Sequence, residues 1–317
     1  MYIVTGGAGF IGSNIIRGLN DRGVSDILVV DNLTNSDKFR NVVGLHFTDY
    51  MDKGSFLEAL KSGGFSNVQG IIHQGACSDT TERNGRYMME NNYSYTCSVA
   101  EWALRNSVPF VYASSASVYG NAKNGFCEDF ANEAPINIYA YSKYLFDQWA
   151  RKRFDSVKST FVGLRYFNVY GPHESHKAKM ASMVFHGFNQ LNRSGVIKLF
   201  SGCDGIEDGA QSRDFVYVKD VVSVVLHFAL DCKATQGVFN VGTGTARSFK
   251  DLAMAVINSV GNGGGIEYIP FPSELRGQYQ NFTQANLSAL RKAGYCGAFA
   301  NLEAGVADYV AHLRQDY

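Results

Sequence analysis

The chain has 317 residues, enough for one large or two medium domains with a substantial buried core. Its composition is that of a globular protein, with 45% hydrophobic and 18% charged residues. Lys plus Arg and Asp plus Glu both total 29, so the formal net charge is zero and lends no support to binding of nucleic acid or of a membrane surface.

The six cysteines are widely scattered, with no C-x-x-C pair and no spacing to histidine that is typical of a metal site. This pattern predicts free thiols in a reducing compartment and no bound metal. No apolar run approaches the roughly 20 residues that span a bilayer, and residues 2–5 already have the pattern of a strand, which leaves no room for a signal peptide. We therefore expect a cytoplasmic protein.

The first half of the chain alternates short apolar segments with helical patterns. The predicted strands are residues 2–5, 27–30, 68–73, 109–113 and 161–165, and the predicted helices are residues 12–21, 86–105 and a segment that carries Tyr139 and Lys143. The apolar stripe expected on that last helix consists of Ile138, Tyr141, Leu145 and Trp149. Repeated β-α-β units with apolar strands predict an α/β fold with a doubly wound, Rossmann-like parallel sheet.

Beyond residue 170 the alternation weakens and the loops lengthen. Residues 201–212 are rich in Gly, Asp and Ser and predict an exposed loop, whereas helices are expected at residues 248–260 and 300–313 and a strand at 266–269. We therefore predict a first domain over residues 1–170 and a smaller carboxy-terminal α/β lobe over residues 171–317. Some segments of that lobe are expected to return to the first domain.

A glycine-rich turn directly follows the first predicted strand. The run from Gly6 to Gly12 satisfies both a G-x-x-G-x-x-G and a G-x-G-x-x-G pattern and opens the first helix. Glycines let the backbone approach a pyrophosphate, whose charge is favoured by the amino terminus of the helix. Asp31 ends the second strand, where an acid binds the adenosine ribose. The first domain is thus predicted to bind a dinucleotide, and the residues expected there are Gly6, Gly9, Phe10, Ile11, Gly12 and Asp31.

The choice between NAD and NADP stays open from the residues alone. An acid at the end of the second strand ordinarily hydrogen-bonds a free ribose hydroxyl and disfavours a 2′-phosphate. Asn32, Lys38 and Lys53 lie downstream and are candidates to supply donors and charge to such a phosphate. Both lysines fit a solvated surface equally well.

Tyr139 and Lys143 stand four residues apart on a predicted helix, so both side chains project from one face. A free tyrosine has a pKa of about 10, and a neighbouring lysine cation is expected to lower that pKa towards the range of useful proton transfer. Ser115, in the upstream run Ser-Ser-Ala-Ser-Val-Tyr-Gly, is placed to hydrogen-bond a substrate hydroxyl or carbonyl. With the glycine turn, this set predicts a site that moves a hydride and a proton.

Taken in order, the glycine turn, residues 114–120 and the Tyr139-x-x-x-Lys143 motif resemble those of the extended short-chain dehydrogenase/reductases, many of which modify nucleotide sugars. Further segments in both halves resemble the ADP-L-glycero-D-manno-heptose 6-epimerase family in particular. These segments are residues 73–78, 166–172, the pair His176-Lys177, residues 213–218, 268–272 and 277–280.

That resemblance implies an epimerase that interconverts ADP-D-glycero-D-manno-heptose and ADP-L-glycero-D-manno-heptose at C6″ and supplies heptose for the lipopolysaccharide core. The reaction would be a transient oxidation and re-reduction by bound NADP. It implies Ser115, Tyr139, Lys143 and Lys177 as catalytic residues, with Lys177 as a second acid/base or, alternatively, a contact to pyrophosphate. The implied partners are an ADP-sugar and further copies of the chain in a homo-oligomer, a pentamer in that family, with no nucleic acid or membrane partner.

The family pattern also assigns the remaining site residues. Those implied to face the cofactor, besides Tyr139 and Lys143, are Gln74, Gly75, Ala76, Cys77, Ser78, Asn91 and Val169, and the predicted cofactor set also includes Lys177 and the candidates Asn32, Lys38 and Lys53. Those implied to face the substrate are Asn168, Lys179, His186, Phe200, Ser201, Gly202, Cys203, Arg213 and Tyr279. Arg213 suits a diphosphate, whereas His186 lies on an apolar helical stretch and fits packing equally well. Lys179 stands where the family pattern has a serine, and the loop before Arg213 is longer than in that pattern.

Rival functions fit the sequence less well. A nucleotide-sugar 4,6-dehydratase needs an Asp-Glu pair directly after its catalytic serine or threonine, where this chain has Ala116-Ser117. A UDP-sugar 4-epimerase shares the serine, tyrosine and lysine, although the segment around Lys177 and the neighbourhood of Tyr279 argue against it. A non-catalytic nucleotide-binding scaffold on this fold often loses the tyrosine or the lysine, and both are present here.

Overall fold

The computed structural model describes residues 1–122, 125–203, 205–261, 263–272 and 280–315. The chain folds into two compact units. Unit 1 comprises Met1–Tyr166, Val222–Asn240 and Ser288–Gly297, and unit 2 comprises Phe167–Val221, Val241–Leu287 and Ala298–Tyr317. The predicted functional division into a dinucleotide-binding domain and a substrate lobe stays a prediction.

The strands of both units are short and follow the apolar segments of the sequence. In chain order they are β1 Tyr2–Thr5, β2 Ile27–Asp31, β3 Asp49–Asp52, β4 Gly70–His73, β5 Phe110–Ser115, β6 Phe161–Tyr166, β7 Asn168–Tyr170, β8 Val196–Phe200, β9 Ser212–Tyr217, β10 Gln236–Val241, β11 Ala246–Ser248 and β12 Gly265–Ile269. The five strands predicted in the first half are all present, with ends that differ by at most a few residues.

The helices alternate with these strands. They are α1 Phe10–Asp21, α2 Lys53–Lys61, α3 Gly85–Met89, α4 Tyr95–Arg105, α5 Ile138–Arg151, α6 Met183–Ser194, α7 Val218–Leu226, α8 Phe249–Val260, α9 Ser288–Lys292 and α10 Leu302–Leu313. None of the helices in the described ranges is long and apolar enough to cross a membrane.

A seven-stranded sheet in the order β10-β6-β5-β4-β1-β2-β3 organises unit 1. The pairings from β6 to β3 are all parallel. All five residues of β2 are buried, as expected of a parallel strand covered on both faces. The order 3-2-1-4-5-6 within this sheet is that of the dinucleotide-binding α/β fold, and the predicted fold class is confirmed.

The segment predicted as one helix over residues 86–105 is helical throughout but not uniform. Between α3 and α4 the residues Glu90–Ser94 form a π-helical turn, in which each hydrogen bond spans one residue more than in an α-helix. Such turns are common at functional sites because they shift the side chains that follow them. This turn carries Asn91 and Asn92.

The buried face of α5 differs from the predicted apolar stripe. Tyr141 is 43% exposed, whereas Ser142, Lys143 and Asp147 are buried. The prediction was wrong because polar side chains on this helix find partners inside the fold, so hydrophobicity alone does not mark its inner face.

Unit 2 contains more regular structure than the sequence pattern indicated. Its sheets are β11-β9-β7, with three strands, and the parallel pair β12-β8. The predicted helices at residues 248–260 and 300–313 correspond to α8 and α10, and the capping box of Ser248 and Asp251 begins α8. The expected loop at residues 201–212 is without helix or strand in its described part up to Gln211, and β9 then begins at Ser212.

Candidate active site

The glycine turn after β1 is packed so closely that side chains are excluded from it. An ideal Cβ on Gly12 would stand 2.1 Å from the carbonyl oxygen of Gly6, and one on Gly9 would stand 3.0 Å from the same oxygen. Gly6 itself has a φ of +64°, in the left-handed region. The turn therefore presents bare backbone at the amino terminus of α1, which suits the close approach of a pyrophosphate. Phe10 and Ile11 are the first residues of that helix.

Asp31 is buried at the end of β2, and its carboxylate is bonded to other groups of the protein. Its Oδ2 accepts from the backbone N–H of Ala8 at 3.0 Å, and its Oδ1 accepts from the N–H of Asn32 at 2.8 Å. Lys38 forms a short ion pair with the same Oδ1. Asp31 thus holds the glycine turn in place through Ala8, and the positive charge of Lys38 balances its negative charge.

Lys53 and Asn91, both predicted to face the cofactor, are brought together although 38 residues separate them. The ammonium of Lys53, the first residue of α2, donates to Oδ1 of Asn91 at 2.5 Å. Asn91 lies in the π-helical turn, so the turn places an amide beside a cation.

The loop after β4 holds the next predicted residues. Gln74 accepts a hydrogen bond from the Tyr166 hydroxyl at 3.0 Å, and its buried Nε2 has no partner in the described part of the chain. The side-chain amide of Asn92 forms two hydrogen bonds with the backbone of Cys77. Its oxygen accepts from the N–H at 2.7 Å, and its nitrogen donates to the carbonyl oxygen at 3.0 Å. Ala76 and Ser78 are exposed. The role of Asn92 was not predicted, because a lone asparagine in a helical pattern carries no signal of a distant partner.

The serine, tyrosine and lysine expected to carry the chemistry all lie in unit 1. Ser115 ends β5, and its hydroxyl oxygen accepts from the N–H and the hydroxyl of Ser117 at 3.2 and 2.9 Å. Lys143 is buried and donates from Nζ to the carbonyl oxygen of Ala113 at 2.8 Å. Asn137 caps α5 by accepting from the N–H of Ala140, which fixes where this helix begins.

The protonation of this group differs from the sequence-based expectation. Burial raises the pKa of the Tyr139 phenol, and the Ser115 side chain only partly opposes the rise. Lys143 is not among the causes that act on this pKa, so the expected lowering by Lys143 is wrong in this structure. Burial in turn lowers the pKa of Lys143 to about 8, so this lysine stays mainly an ammonium at neutral pH but loses its proton more readily than a free lysine.

Lys177 lies in unit 2, in a short helical segment Ser175–Met180. Burial lowers the pKa of Lys177, and the carboxylate of Glu174 opposes that effect. Glu174 is fully buried and accepts from the backbone N–H and the hydroxyl of Ser182, both at 2.6 Å. Ser182 caps α6, so the acid beside Lys177 is anchored on a helix terminus. Such a lysine is suited to proton transfer.

The other predicted substrate residues of unit 2 lie on several elements. Asn168 and Val169 are on β7, and Lys179 is exposed. His186 is on α6, where its ring lies 5.9 Å from that of Phe185.

Phe200 ends β8, with its ring 5.3 Å from Phe271, and Ser201 donates to the carbonyl of Ile269 at 2.8 Å. The N–H of Gly202 donates to Asp208, and Cys203 is partly buried. Tyr279 lies outside the described residues.

Arg213 is the most constrained of these residues. It is buried on β9, donates from Nη1 to the carbonyl of Ser212 at 3.0 Å and places its guanidinium over the ring of Phe249. A buried guanidinium is a strong binding group for a diphosphate because it offers two parallel donors.

The described residues contain no cluster of three His, Cys, Asp or Glu side chains that could hold a metal ion. They do contain features expected of a dinucleotide site: a bare glycine turn, a buried amide on Gln74 whose Nε2 has no hydrogen-bond partner among them, and a serine, tyrosine and lysine that all belong to unit 1. These features fit a nicotinamide dinucleotide and define the class as enzymes of the extended short-chain dehydrogenase/reductase fold.

The chain belongs to the NAD dependent epimerase/dehydratase family, whose model matches residues 2–242. It is similar to the ADP-L-glycero-D-manno-heptose-6-epimerase of Helicobacter pylori, with 31% identity over 99% of this chain and 96% of that chain and a TM-score of 0.84. It is also similar to the UDP-glucose 4-epimerase of Thermus thermophilus in complex with NAD, with 27% identity over 100% and 99% of the two chains and a TM-score of 0.77.

A UDP-N-acetylglucosamine 4-epimerase from Methanobrevibacter ruminantium shares the fold, with a TM-score of 0.85 at 22% identity over 100% of this chain and 98% of that chain. The prediction of an epimerase-type enzyme is confirmed by the family match and by the similarity to the H. pylori enzyme, and its dependence on a nicotinamide dinucleotide is confirmed by the family match.

Proposed function

We propose that this enzyme interconverts the D-glycero and L-glycero forms of ADP-manno-heptose at C6″. The observation that carries the proposal is the 31% identity to the heptose epimerase of H. pylori, which extends over 99% of the chain and so includes both units. Heptose for the lipopolysaccharide core is the product that such an activity supplies.

Inversion at an unactivated carbinol carbon requires removal of a hydride and its return to the opposite face of the resulting carbonyl. A nicotinamide dinucleotide held at the glycine turn of Gly6 to Gly12 would supply the hydride chemistry. The protein must then remove a proton from the sugar hydroxyl and replace it. Ser115 orients that oxygen through its hydroxyl, and the Tyr139 phenol, whose pKa Ser115 influences, exchanges the proton.

Lys177 serves in the proposal as a second acid/base, because return of the hydride to the other face calls for a proton donor there. Its lowered pKa supports this role, since a lysine with an ordinary pKa near 10.4 is a poor proton acceptor at neutral pH. The buried carboxylate of Glu174 keeps the ammonium form accessible as well. Contact of Lys177 with the substrate pyrophosphate is the competing role.

The ADP group is assigned to unit 2. Arg213 would bind the diphosphate through its guanidinium, whose orientation is set by its bond to Ser212 and by the ring of Phe249. The residues proposed to line the rest of the ADP-sugar are Asn168, Lys179, His186, Phe200, Ser201, Gly202, Cys203 and Tyr279.

NADP is the proposed cofactor, and the state of Asp31 supports it. Both carboxylate oxygens of Asp31 are engaged by backbone N–H groups, and one of them also pairs with Lys38. Both oxygens of the acid thus already accept from groups of the protein, and its charge is balanced by a cation next to it. A 2′-phosphate meets less repulsion here than beside an unpaired acid.

Incubation of the purified protein with ADP-D-glycero-D-manno-heptose tests the proposal, with the C6″ configuration followed by NMR. We expect an equilibrium mixture of both epimers from either starting compound. UDP-glucose serves as the parallel substrate. Turnover of UDP-glucose without any change in the heptose would replace the proposal by a UDP-sugar 4-epimerase, and inactivity towards both, with cofactor still bound, would favour a scaffold.

The family resemblance further leads us to propose a cytoplasmic homo-oligomer, a pentamer. Light scattering coupled to size-exclusion chromatography gives the number of copies directly. A monomer at working concentration would contradict this part of the proposal without affecting the reaction.

A further inference from the structure

A buried pair of opposite charges in unit 1 takes no direct part in the proposed chemistry. Asp147 lies on α5, one turn after Lys143, and Arg165 lies on β6. Both side chains are 0% exposed. Nε and Nη2 of Arg165 donate to Oδ2 of Asp147 at 2.9 and 2.8 Å. Two donors on one oxygen hold the carboxylate in a single orientation.

Asp147 also reaches the strand that ends in the catalytic serine. Its Oδ2 accepts from the hydroxyl of Ser114 at 2.9 Å, and its Oδ1 accepts from the hydroxyl of Tyr112 at 3.0 Å. Between these two residues, the carbonyl of Ala113 accepts from Nζ of Lys143 at 2.8 Å. Three consecutive residues of β5 are thus attached to α5 by Lys143 and Asp147.

We propose that Asp147, locked by Arg165, is the positioning residue of the reaction: it sets Ser115 and Lys143 in the places that hydride and proton transfer require. The proposal rests on the catalytic assignment of these two residues under the proposed function, and it acts through them without contact to the substrate. Displacement of a reacting group by about 1 Å lowers rates by roughly 100-fold, so a rigid attachment of this kind matters.

Asp147 also influences the pKa of Lys143. Burial lowers the pKa of this lysine to about 8, and the Asp147 carboxylate is the strongest influence that raises it, followed by Cys77 in the loop after β4. His73, at the end of β4, faces the same ammonium, which helps to lower the pKa of His73. Removal of the Asp147 charge is therefore expected to lower the pKa of Lys143 further.

Glu133 offers a matched control. Its carboxylate is 0% exposed and also pairs with Arg165, so Glu133→Gln removes a buried charge from the same guanidinium. Its side-chain contacts include Arg165, Arg151 and Gln148, none of which is a residue of β5 or a catalytic residue. Glu133 is not among the groups that shift the pKa of Lys143.

The first test measures Lys143 without substrate. Lysine is labelled with ¹³C at Cε, the Lys143 signal is assigned by its loss in Lys143→Arg, and its shift is followed against pH. We expect a pKa of about 8 in the wild type and in Glu133→Gln, and a value lower by about one unit or more in Asp147→Asn. Equal values in Asp147→Asn and the wild type, or equal lowering in both variants, would overturn the proposal.

The second test separates the attachment of Asp147 to β5 from the effect of its negative charge. The double substitution Ser114→Ala with Tyr112→Phe removes both attachments of Asp147 to β5 and keeps every charge, so it also serves if Asp147→Asn does not fold. We expect kcat for heptose epimerisation to fall by roughly 100-fold with KM nearly unchanged. A wild-type kcat in the double variant would contradict the proposal.

The two proposals fail separately. If the wild type does not epimerise the heptose, the proposed function is lost, but the Lys143 titration still decides whether Asp147 controls this lysine. If the wild type is active while the titration and the double variant behave as the wild type, only the positioning proposal is lost.

Discussion

Nδ1 of His73 lies 2.7 Å from the hydroxyl of Thr5, and both residues end neighbouring strands of the parallel sheet. The other ring nitrogen of His73 is 2.9 Å from the hydroxyl of Thr96, and the Thr5 hydroxyl in turn accepts from the N–H of Gly75. A neutral imidazole with two hydroxyl partners thus supports the loop that carries the predicted cofactor residues.

This arrangement predicts acid-sensitive stability. Burial lowers the pKa of His73 to about 3, from 6.5 for a free histidine. Between these pH values the unfolded chain binds a proton at His73 and the folded chain does not. The folded state therefore has its full stability with respect to His73 above pH 6.5, and it loses stability as the pH falls towards 3. We expect a loss of about 1 kcal/mol per pH unit in this window.

Urea unfolding at pH 7.0, 6.0 and 5.0 measures how the free energy of unfolding depends on pH. His73→Gln should remove this part of the slope, and His46→Gln, at an exposed position, should keep it. Parallel slopes for the wild type and His73→Gln would show that His73 is not the group responsible.

Gly12→Ala is expected to disrupt the dinucleotide site. The new Cβ would stand 2.1 Å from the carbonyl oxygen of Gly6, so the turn must open to admit it. We expect the affinity for the dinucleotide to fall by at least tenfold, equivalent to about 1.4 kcal/mol. Cofactor fluorescence provides the measurement. Gly85→Ala, where the nearest atoms to a Cβ are 3.8 Å away, is the matched control and should bind as the wild type does.

Tyr139→Phe is expected to abolish epimerisation while the cofactor stays bound. The substitution removes only the hydroxyl that exchanges the proton, a function worth roughly 100- to 10,000-fold in rate. Tyr141→Phe, two residues further along α5 and 43% exposed, should leave the rate close to that of the wild type. An active Tyr139→Phe enzyme would assign the proton transfer to another group.

Lys177→Met tests the second acid/base. If Lys177 transfers a proton, kcat should drop by about 100-fold or more while KM changes little. If it only contacts the pyrophosphate, KM should rise with kcat nearly unchanged. Lys198→Met, an exposed lysine on β8, controls for the loss of a positive charge. Normal kinetics in the Lys177 variant would remove this residue from the mechanism.

Lys38→Ala is expected to change the preference between cofactors. Lys38 neutralises Asp31, so its removal leaves an unpaired acid where the 2′-phosphate is proposed to bind. We expect NADPH to bind more tightly than NADH in the wild type, and the variant to lose about tenfold in affinity for NADPH but much less for NADH. Equal losses for both cofactors would contradict the assignment of NADP.

The positions of strands β1, β2, β4, β5 and β6 in the chain, the glycine turn and the helix with Tyr139 and Lys143 were predictable from the sequence alone, whereas β3 was not predicted. Each depends on short-range patterns: apolar runs for buried parallel strands, glycines where a Cβ has no room, and a spacing of four residues on one helical face. These features suffice to predict a dinucleotide-dependent enzyme.

Only the tertiary structure decided the pKa values of Tyr139 and Lys143 and the contacts that support these two side chains. The pKa of Tyr139 is raised and that of Lys143 lowered because burial outweighs the opposing influence of Ser115 on the tyrosine and of Asp147 on the lysine, and burial depends on the whole fold. Likewise, Asp147 is an ordinary acid in the sequence until β6 brings Arg165 against it, across 18 residues of chain. Such pairings join residues that no local pattern relates, so the inner face of α5 and the support of the catalytic lysine became apparent only in the folded chain.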